Sequence, residues 1–248
     1  MHALVAAGRK KITTFRAYRN HRDDPTAFYA PIAAESARAL DDRFGLNGAL
    51  VLDLGCGPGW YLDAIRRRGA VAFGVEMSTE ELFDRPTRTT NALLGDGTRL
   101  PFTTGAFDGV VCSNMLEHTP VPEQVLDEIA RVLKPGGWAY VSWTPWYSPW
   151  GGHDMNPYQY LGPRFGPRLY ERVHGVPRKN RFGEALWAIH VGRVLRFARA
   201  MPTMSLEKTE ARYWPALSGV LRVPGLREIV VGNCALEMRR NHTEAQPS

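Results

Sequence analysis

No apolar run in this chain approaches the roughly 18 residues that would span a bilayer, and Ala3 to Ala7 is too short for a secretory core, so a cytoplasmic protein is expected. Cysteine is scarce. The three, at 56, 112 and 234, form an odd set without metal-ligand spacing, which argues against a disulfide framework or zinc ribbon and for buried, reduced thiols. Acid is missing from residues 1 to 22, which hold six Lys or Arg. No internal repeat is found, so solenoids and propellers drop out. Also missing is the dinucleotide fingerprint G-x-G-x-x-G: the glycines fall at 55, 57 and 59, and position 60 is Trp. A helix N-terminus holding a pyrophosphate is therefore not expected.

What is present begins at Val51-Leu52-Asp53-Leu54-Gly55-Cys56-Gly57-Pro58-Gly59. An apolar run closed by a glycine turn and followed by a helix is the opening βα unit of a doubly wound sheet, whose ligands sit beyond the carboxyl ends of the strands. The next apolar run, Val71 to Val75, ends in Glu76. A carboxylate there can accept both hydroxyls of a ribose. The expected ligand thus carries a ribose without a pyrophosphate clamp.

Three later segments complete a series: Gly95-Asp96-Gly97-Thr98-Arg99-Leu100-Pro101-Phe102, then Phe107 through His118, then Arg131-Val132-Leu133-Lys134-Pro135-Gly136-Gly137. In this order, over about residues 48 to 144, the chain resembles the class I S-adenosylmethionine-dependent methyltransferases, and most closely their type 11 branch. Trp150 to Asn180 also resembles a segment of a group of actinobacterial methyltransferases. The resemblance implies a Rossmann-like α/β fold with a seven-stranded, mostly parallel sheet, an N-terminal helical lid and an insertion after strand five. It implies S-adenosyl-L-methionine as cofactor. Asp53 and the backbone of Gly55, Gly57 and Gly59 would lie by the methionine moiety, Glu76 on the ribose and Asp96 on the adenine amino group. Gly97 and Thr98 would lie beside the adenine, Met77 on its face, and Ser113 or Asn114 beneath the methionine end.

The periodicities fill in the rest. Ala33, Ala37, Leu40 and Phe44 share one helical face, closed by Gly45, and Phe28 and Tyr29 are placed to cap the cofactor or pack on the sheet. Strands are expected over 50–54, 71–76, 91–94, 107–113 and 138–143, with helices over 60–68 and 122–133. Thr144 to Asn180, rich in Pro, Gly, Tyr and Trp, reads as too irregular for a helix and too aromatic for a linker, hence an acceptor-side loop. A helix over 183–200 and strands near 204–212 and 229–238 close the chain. The expected division is a lid at 1–47, a cofactor-binding core at 48–144, an insertion at 145–182, and the remainder of the same domain at 183–248.

Transfer of a sulfonium methyl needs chiefly alignment and exclusion of water. A hydroxyl acceptor also benefits from a base, and His153, then His118, are the candidates. His153 and Asp154 are neighbours whose side chains tend to diverge in an extended loop. Glu117 or Asp154 could serve a metal as oxygen ligands, but no metal site is assigned. Basic flanks at 1–22 and 161–200 on an otherwise acidic chain suit an anionic partner. The leading expectation is O-methylation of a small or lipid-linked acceptor, with peripheral contact to the inner face of a membrane. An RNA methyltransferase and a non-catalytic cofactor-binding scaffold are the alternatives. Nucleic acid is disfavoured because Ser113-Asn114-Met115-Leu116 stands where an Asn-Pro-Pro-Tyr type run would be.

Overall fold

The computed structural model describes residues 25–84, 91–177 and 179–242. The basic stretch 1–22, the Phe28 side chain and Arg178 lie outside the described residues. Seven strands form one sheet: β1 (Leu50–Leu54), β2 (Val71–Glu76), β3 (Ala92–Leu94), β4 (Phe107–Ser113), β5 (Leu133–Trp143), β6 (Met204–Ala211) and β7 (Cys234–Arg240), in the order β3-β2-β1-β4-β5-β7-β6. β7 alone runs against its neighbours, antiparallel to both β5 and β6. The order reverses between β1 and β4, which pair in parallel. That reversal opens a crevice at the carboxyl ends of the strands.

Among the described residues, seven α-helices accompany the sheet: α1 (Pro25–Phe44), α2 (Trp60–Arg66), α3 (Thr79–Leu82), α4 (Pro122–Val132), α5 (Gly162–His174), α6 (Val191–Ala200) and α7 (Leu226–Val230). On one face, Ala33, Ala37 and Leu40 of α1 pack with Leu62 and Ile65 of α2 over Val51, Val111 and Tyr140. Phe44 stacks on Trp138 at 4.5 Å and 3°, and Gly45, with φ +70, ends the helix. On the other face, Val125, Leu126, Ile129 and Val132 of α4 meet Val194, Leu195 and Ala198 of α6 over Leu52, Val110 and Val141. Each large apolar side chain so buried stabilises the fold by about 1.5–3 kcal/mol. All three cysteines are free and buried.

Four segments differ from the sequence reading, the first being β5, which starts at Leu133 rather than 138. The region after β5 holds a 13-residue helix, α5. Its prolines do not break it, because Pro163 stands in the first turn, where the amide has no intrahelical partner, and Pro167 is buried with Gly166 against the Tyr158 turn. The helix expected from 183 starts only at Val191. Residues before it are held extended, with the Trp187 N–H on the Glu117 carbonyl and the Trp146 N–H on that of Ile189, both at 2.9 Å. The closing strand starts at Cys234 rather than 229, because Leu226–Val230 forms α7. There the backbone amides of Val191 and Gly192 both bond to Glu228, at 2.7 and 2.8 Å.

Candidate functional site

The carboxyl ends of β1, β2, β4, β5 and β6 and the start of β7 meet at one rim. Its first half is built from backbone. The Gly55 and Cys56 amides bond to the Val75 carbonyl at 2.8 and 3.1 Å, clamping the turn after β1 to the end of β2. Gly57, with φ +48, takes a conformation that side chains resist. This lets its amide reach the Glu76 Oε2 at 2.9 Å. The other carboxylate oxygen accepts from the Met77 and Ser78 amides at 2.8 and 2.9 Å. Glu76 is thus aimed by three N–H donors, and Met77 beside it is 65% exposed. Gly59 caps α2 with φ 87.

Asp53 is buried one residue before the end of β1, and its Oδ2 has no hydrogen-bond partner among the described residues. Burial, reinforced by the charge of Glu76, pushes its pKa up to about 7, against a backbone hydrogen bond from Leu62. Beyond β3, the Thr98 amide bonds to Asp96 Oδ1 at 2.8 Å, and Gly97 is buried under the Met115 methyl group. The same Met115 side chain lies against Gly55, 2.7 Å from where a Cβ would stand. The segment after β4 is therefore seated on the glycine turn.

The second half is built from side chains. Ser113 and Ser142 face each other at 3.3 Å, and Arg212 Nη1 donates to both, at 2.9 and 3.0 Å. Its Nη2 donates to Ser36 at 3.2 Å and to the Tyr61 hydroxyl. The guanidinium carbon lies 5.8 Å from the ring centres of Tyr61, Tyr140 and Tyr213, a cation–π arrangement. No carboxylate among the described residues forms an ion pair with it. Asn114, with φ 56, accepts from Asn233 Nδ2 at 2.7 Å.

Glu117 and His118 follow in a short 3-10 turn, and His153 comes from another, at 153–155. Glu117 Oε1 accepts the Thr144 amide at 3.0 Å, while its Oε2 and the His153 Nε2 are buried without a partner. His118 Nδ1 lies 2.6 Å from the Ala185 carbonyl. Since a carbonyl only accepts, Nδ1 is the donor, and in the neutral ring Nε2 is the nitrogen with the lone pair. Burial raises the pKa of Glu117, against the opposing charge of His118. Burial, and then His118, lower that of His153 to about 3. His153 is therefore a neutral imidazole at pH 7.

The structure brings His118 and His153 together, with ring centres 5.5 Å apart, although 35 positions separate them in the chain. Asp154 is not part of the group formed by Glu117, His118 and His153. Sequence reasoning missed Arg212, Ser36, Tyr61 and Ser142. The only signal was Arg212 at the end of an expected strand, which a single sequence does not distinguish from a surface arginine.

Comparison with known proteins gives a consistent result. Residues 52–141 match the family model described as "Methyltransferase domain". A protein of Mycolicibacterium gilvum named "Uncharacterized methyltransferase" is 34% identical over 241 residues, covering 93% of this chain and 94% of that protein. One from Mycobacterium tuberculosis, of the same description, is 34% identical over 245 residues, covering 94% and 96%. Among solved structures, an S-adenosylmethionine dependent methyltransferase from Mesorhizobium loti superposes with TM-score 0.57 at 20% identity, covering 83% of this chain and 96% of that one.

Proposed function

The chain belongs to the S-adenosylmethionine-dependent methyltransferases, and from that premise we propose that it methylates an oxygen of a lipid-linked acceptor at an anionic membrane surface. The cofactor supplies a methyl group already activated on a sulfonium. The residues fit it. Glu76 presents a carboxylate fixed by three amides to a ribose, and Asp96 stands next for the adenine, flanked by Gly97, Thr98 and Met77. Asp53, with an unpartnered Oδ2, and the Gly55, Gly57 and Gly59 turn serve the methionine end, with Ser113 and Asn114 beneath it. His118 and His153 handle the proton of the acceptor hydroxyl. Arg212 offers a fixed cation to an anionic group of the acceptor.

The observation that carries the lipid reading is the outer face of α5. Leu161, Phe165, Leu169 and Val173 recur every four residues and are all exposed, Phe165 by 71% and Val173 by 58%. Arg164, Arg168 and Arg172 repeat at the same interval and are exposed beside them. An apolar stripe edged by arginines suits the interface of an anionic bilayer, where basic side chains stay among headgroups while apolar ones enter the acyl boundary. No helix among the described residues is long and apolar enough to cross a membrane. α5 packs on the turn that carries His153, so a surface-bound helix would hold the rim near its lipid.

Incubation with methyl-labelled cofactor and a total lipid extract tests this. Label in the lipid fraction, together with sedimentation on phosphatidylglycerol vesicles that Phe165→Ser and Leu169→Ser weaken, is the expected result. Label confined to RNA, protein or water-soluble metabolites rejects the lipid acceptor.

A further inference from the structure

Three metal-ligating side chains converge beside the rim, and no hydrogen bond joins them among the described residues. Donor atoms of Glu117, His118 and His153 lie within 4.8 Å of one another. Even so, Glu117 Oε2 and His153 Nε2 are buried without a hydrogen-bond partner among the described residues. Leaving two such groups unsatisfied costs on the order of 1–3 kcal/mol each. A direct Glu117–His153 hydrogen bond would satisfy both, and the fold does not make one.

We propose that this group is a metal site, in which Glu117, His118 Nε2 and His153 Nε2 bind a divalent first-row transition-metal ion. Two imidazoles and a carboxylate are the donor set of Zn²⁺, Fe²⁺ or Co²⁺ rather than of Mg²⁺ or Ca²⁺, which take oxygen. Bonds of about 2.0–2.2 Å put neighbouring ligands ~3–4 Å apart, a spacing these atoms reach by small side-chain rotations.

The surroundings fit the same reading. His118 gives its Nδ1–H to the Ala185 carbonyl at 2.6 Å, the outer bond that fixes the tautomer of a ligating histidine. Glu117 is steadied through Oε1 by the Thr144 amide. His153 holds φ +47, an uncommon backbone state for a residue with a side chain, found where function requires it. The sequence reading named Glu117 or Asp154 as possible oxygen ligands and assigned no metal site; Glu117, His118 and His153 form the group, with the third 35 positions from the second.

The site deepens the transfer reading and rests on it for its purpose. Three protein ligands leave room for an acceptor oxygen. A hydroxyl held beside the ion ionises nearer neutral pH, its proton passing to solvent. The oxygen lone pair then forms the new O–C bond as the C–S bond of the sulfonium breaks, the electron pair remaining on sulfur. No oxidation or reduction is involved. With the ion bound, His118 and His153 act on the acceptor proton through the metal they hold, in place of accepting it themselves.

The test is a titration of chelator-treated, full-length protein with zinc chloride and, separately, cobalt(II) chloride. Binding of one ion per chain, a rise in Tm and visible ligand-field bands with cobalt are expected. His118→Gln and His153→Asn should each weaken binding about tenfold or more and abolish the bands. His118 is only half-buried, so its variant is the safer test of the site than one at the fully buried Glu117. Calorimetry with S-adenosylhomocysteine on the same preparations checks the cofactor half independently, so a failed transfer reading and a failed metal site give different results. Wild-type protein that takes up no stoichiometric ion, or variants that bind it equally well, would overturn the site.

Discussion

The two halves of the rim are made of different material. The cofactor half is contiguous in sequence and works through backbone amides: Gly57, Met77 and Ser78 aim Glu76, and Thr98 aims Asp96. The half proposed to face the acceptor is assembled round Arg212 from Ser36, Tyr61, Ser142 and Ser113, the last shared with the cofactor side, on five separate elements or their ends, and works through side chains. Amide cradles are independent of side-chain identity and so suit an invariant ligand. Side-chain clusters can be rewritten one residue at a time, which suits a ligand that differs among enzymes of one fold.

That contrast breaks if changes in one half are felt in the other. The largest separation is expected from His153→Asn, chosen because Asn tolerates positive φ. Turnover should fall about 10²–10⁴-fold while calorimetric affinity for S-adenosylhomocysteine stays unchanged. Full activity would remove His153 from the chemistry.

Next is Asp53, whose pKa rises from 3.8 to about 7 on folding. The folded state holds its proton more tightly than the unfolded one. Its contribution is therefore fully present below pH 3.8 and is lost as pH rises through about 7, a change on the order of 4 kcal/mol. Chemical denaturation of cofactor-free protein across that range, wild type against Asp53→Asn, should show this slope only in the wild type. Equal slopes would refute it.

Smaller effects sharpen the boundary. Glu76→Ala should weaken cofactor binding by about 1–3 kcal/mol, read by calorimetry without any acceptor. Arg212→Gln should leave that value in place and raise the acceptor KM by a factor equivalent to about 1.5–3 kcal/mol. A loss of cofactor affinity would instead move Arg212 to the first half. Lys179→Ala, which removes the exposed 2.8 Å pair with Glu81 between the insertion and the cofactor half, should change Tm and turnover little, within ~1 kcal/mol.

The same division explains what could be read from the chain alone. Strands over 50–54, 71–76 and 107–113 have the expected bounds, because an apolar run ended by Gly, Glu or Ser is a local signal. Glu76 was legible as a strand-ending acid. α5 was not, since its prolines and glycines read as loop while the helix depends on packing of Gly166 and Pro167 against Tyr158. Arg212 was illegible for a related reason: Tyr61, Tyr140 and Ser142, which give it meaning, are neighbours only once the sheet is closed. His118 and His153 were each noticed, but their convergence on Glu117 is a property of the folded loops.

The order in which the sheet can be completed follows from the place of β7. Among the described residues β6 has no strand neighbour other than β7, and β7 follows it in the chain, after α7. While the chain emerges from the ribosome, β1 to β5 can join as they appear, but β6 must wait. Arg212, just after the end of β6, therefore reaches the rim only once β7 has emerged. A nascent or clipped chain ending before Cys234 would keep the crevice between β1 and β4 and lack the Arg212 cluster.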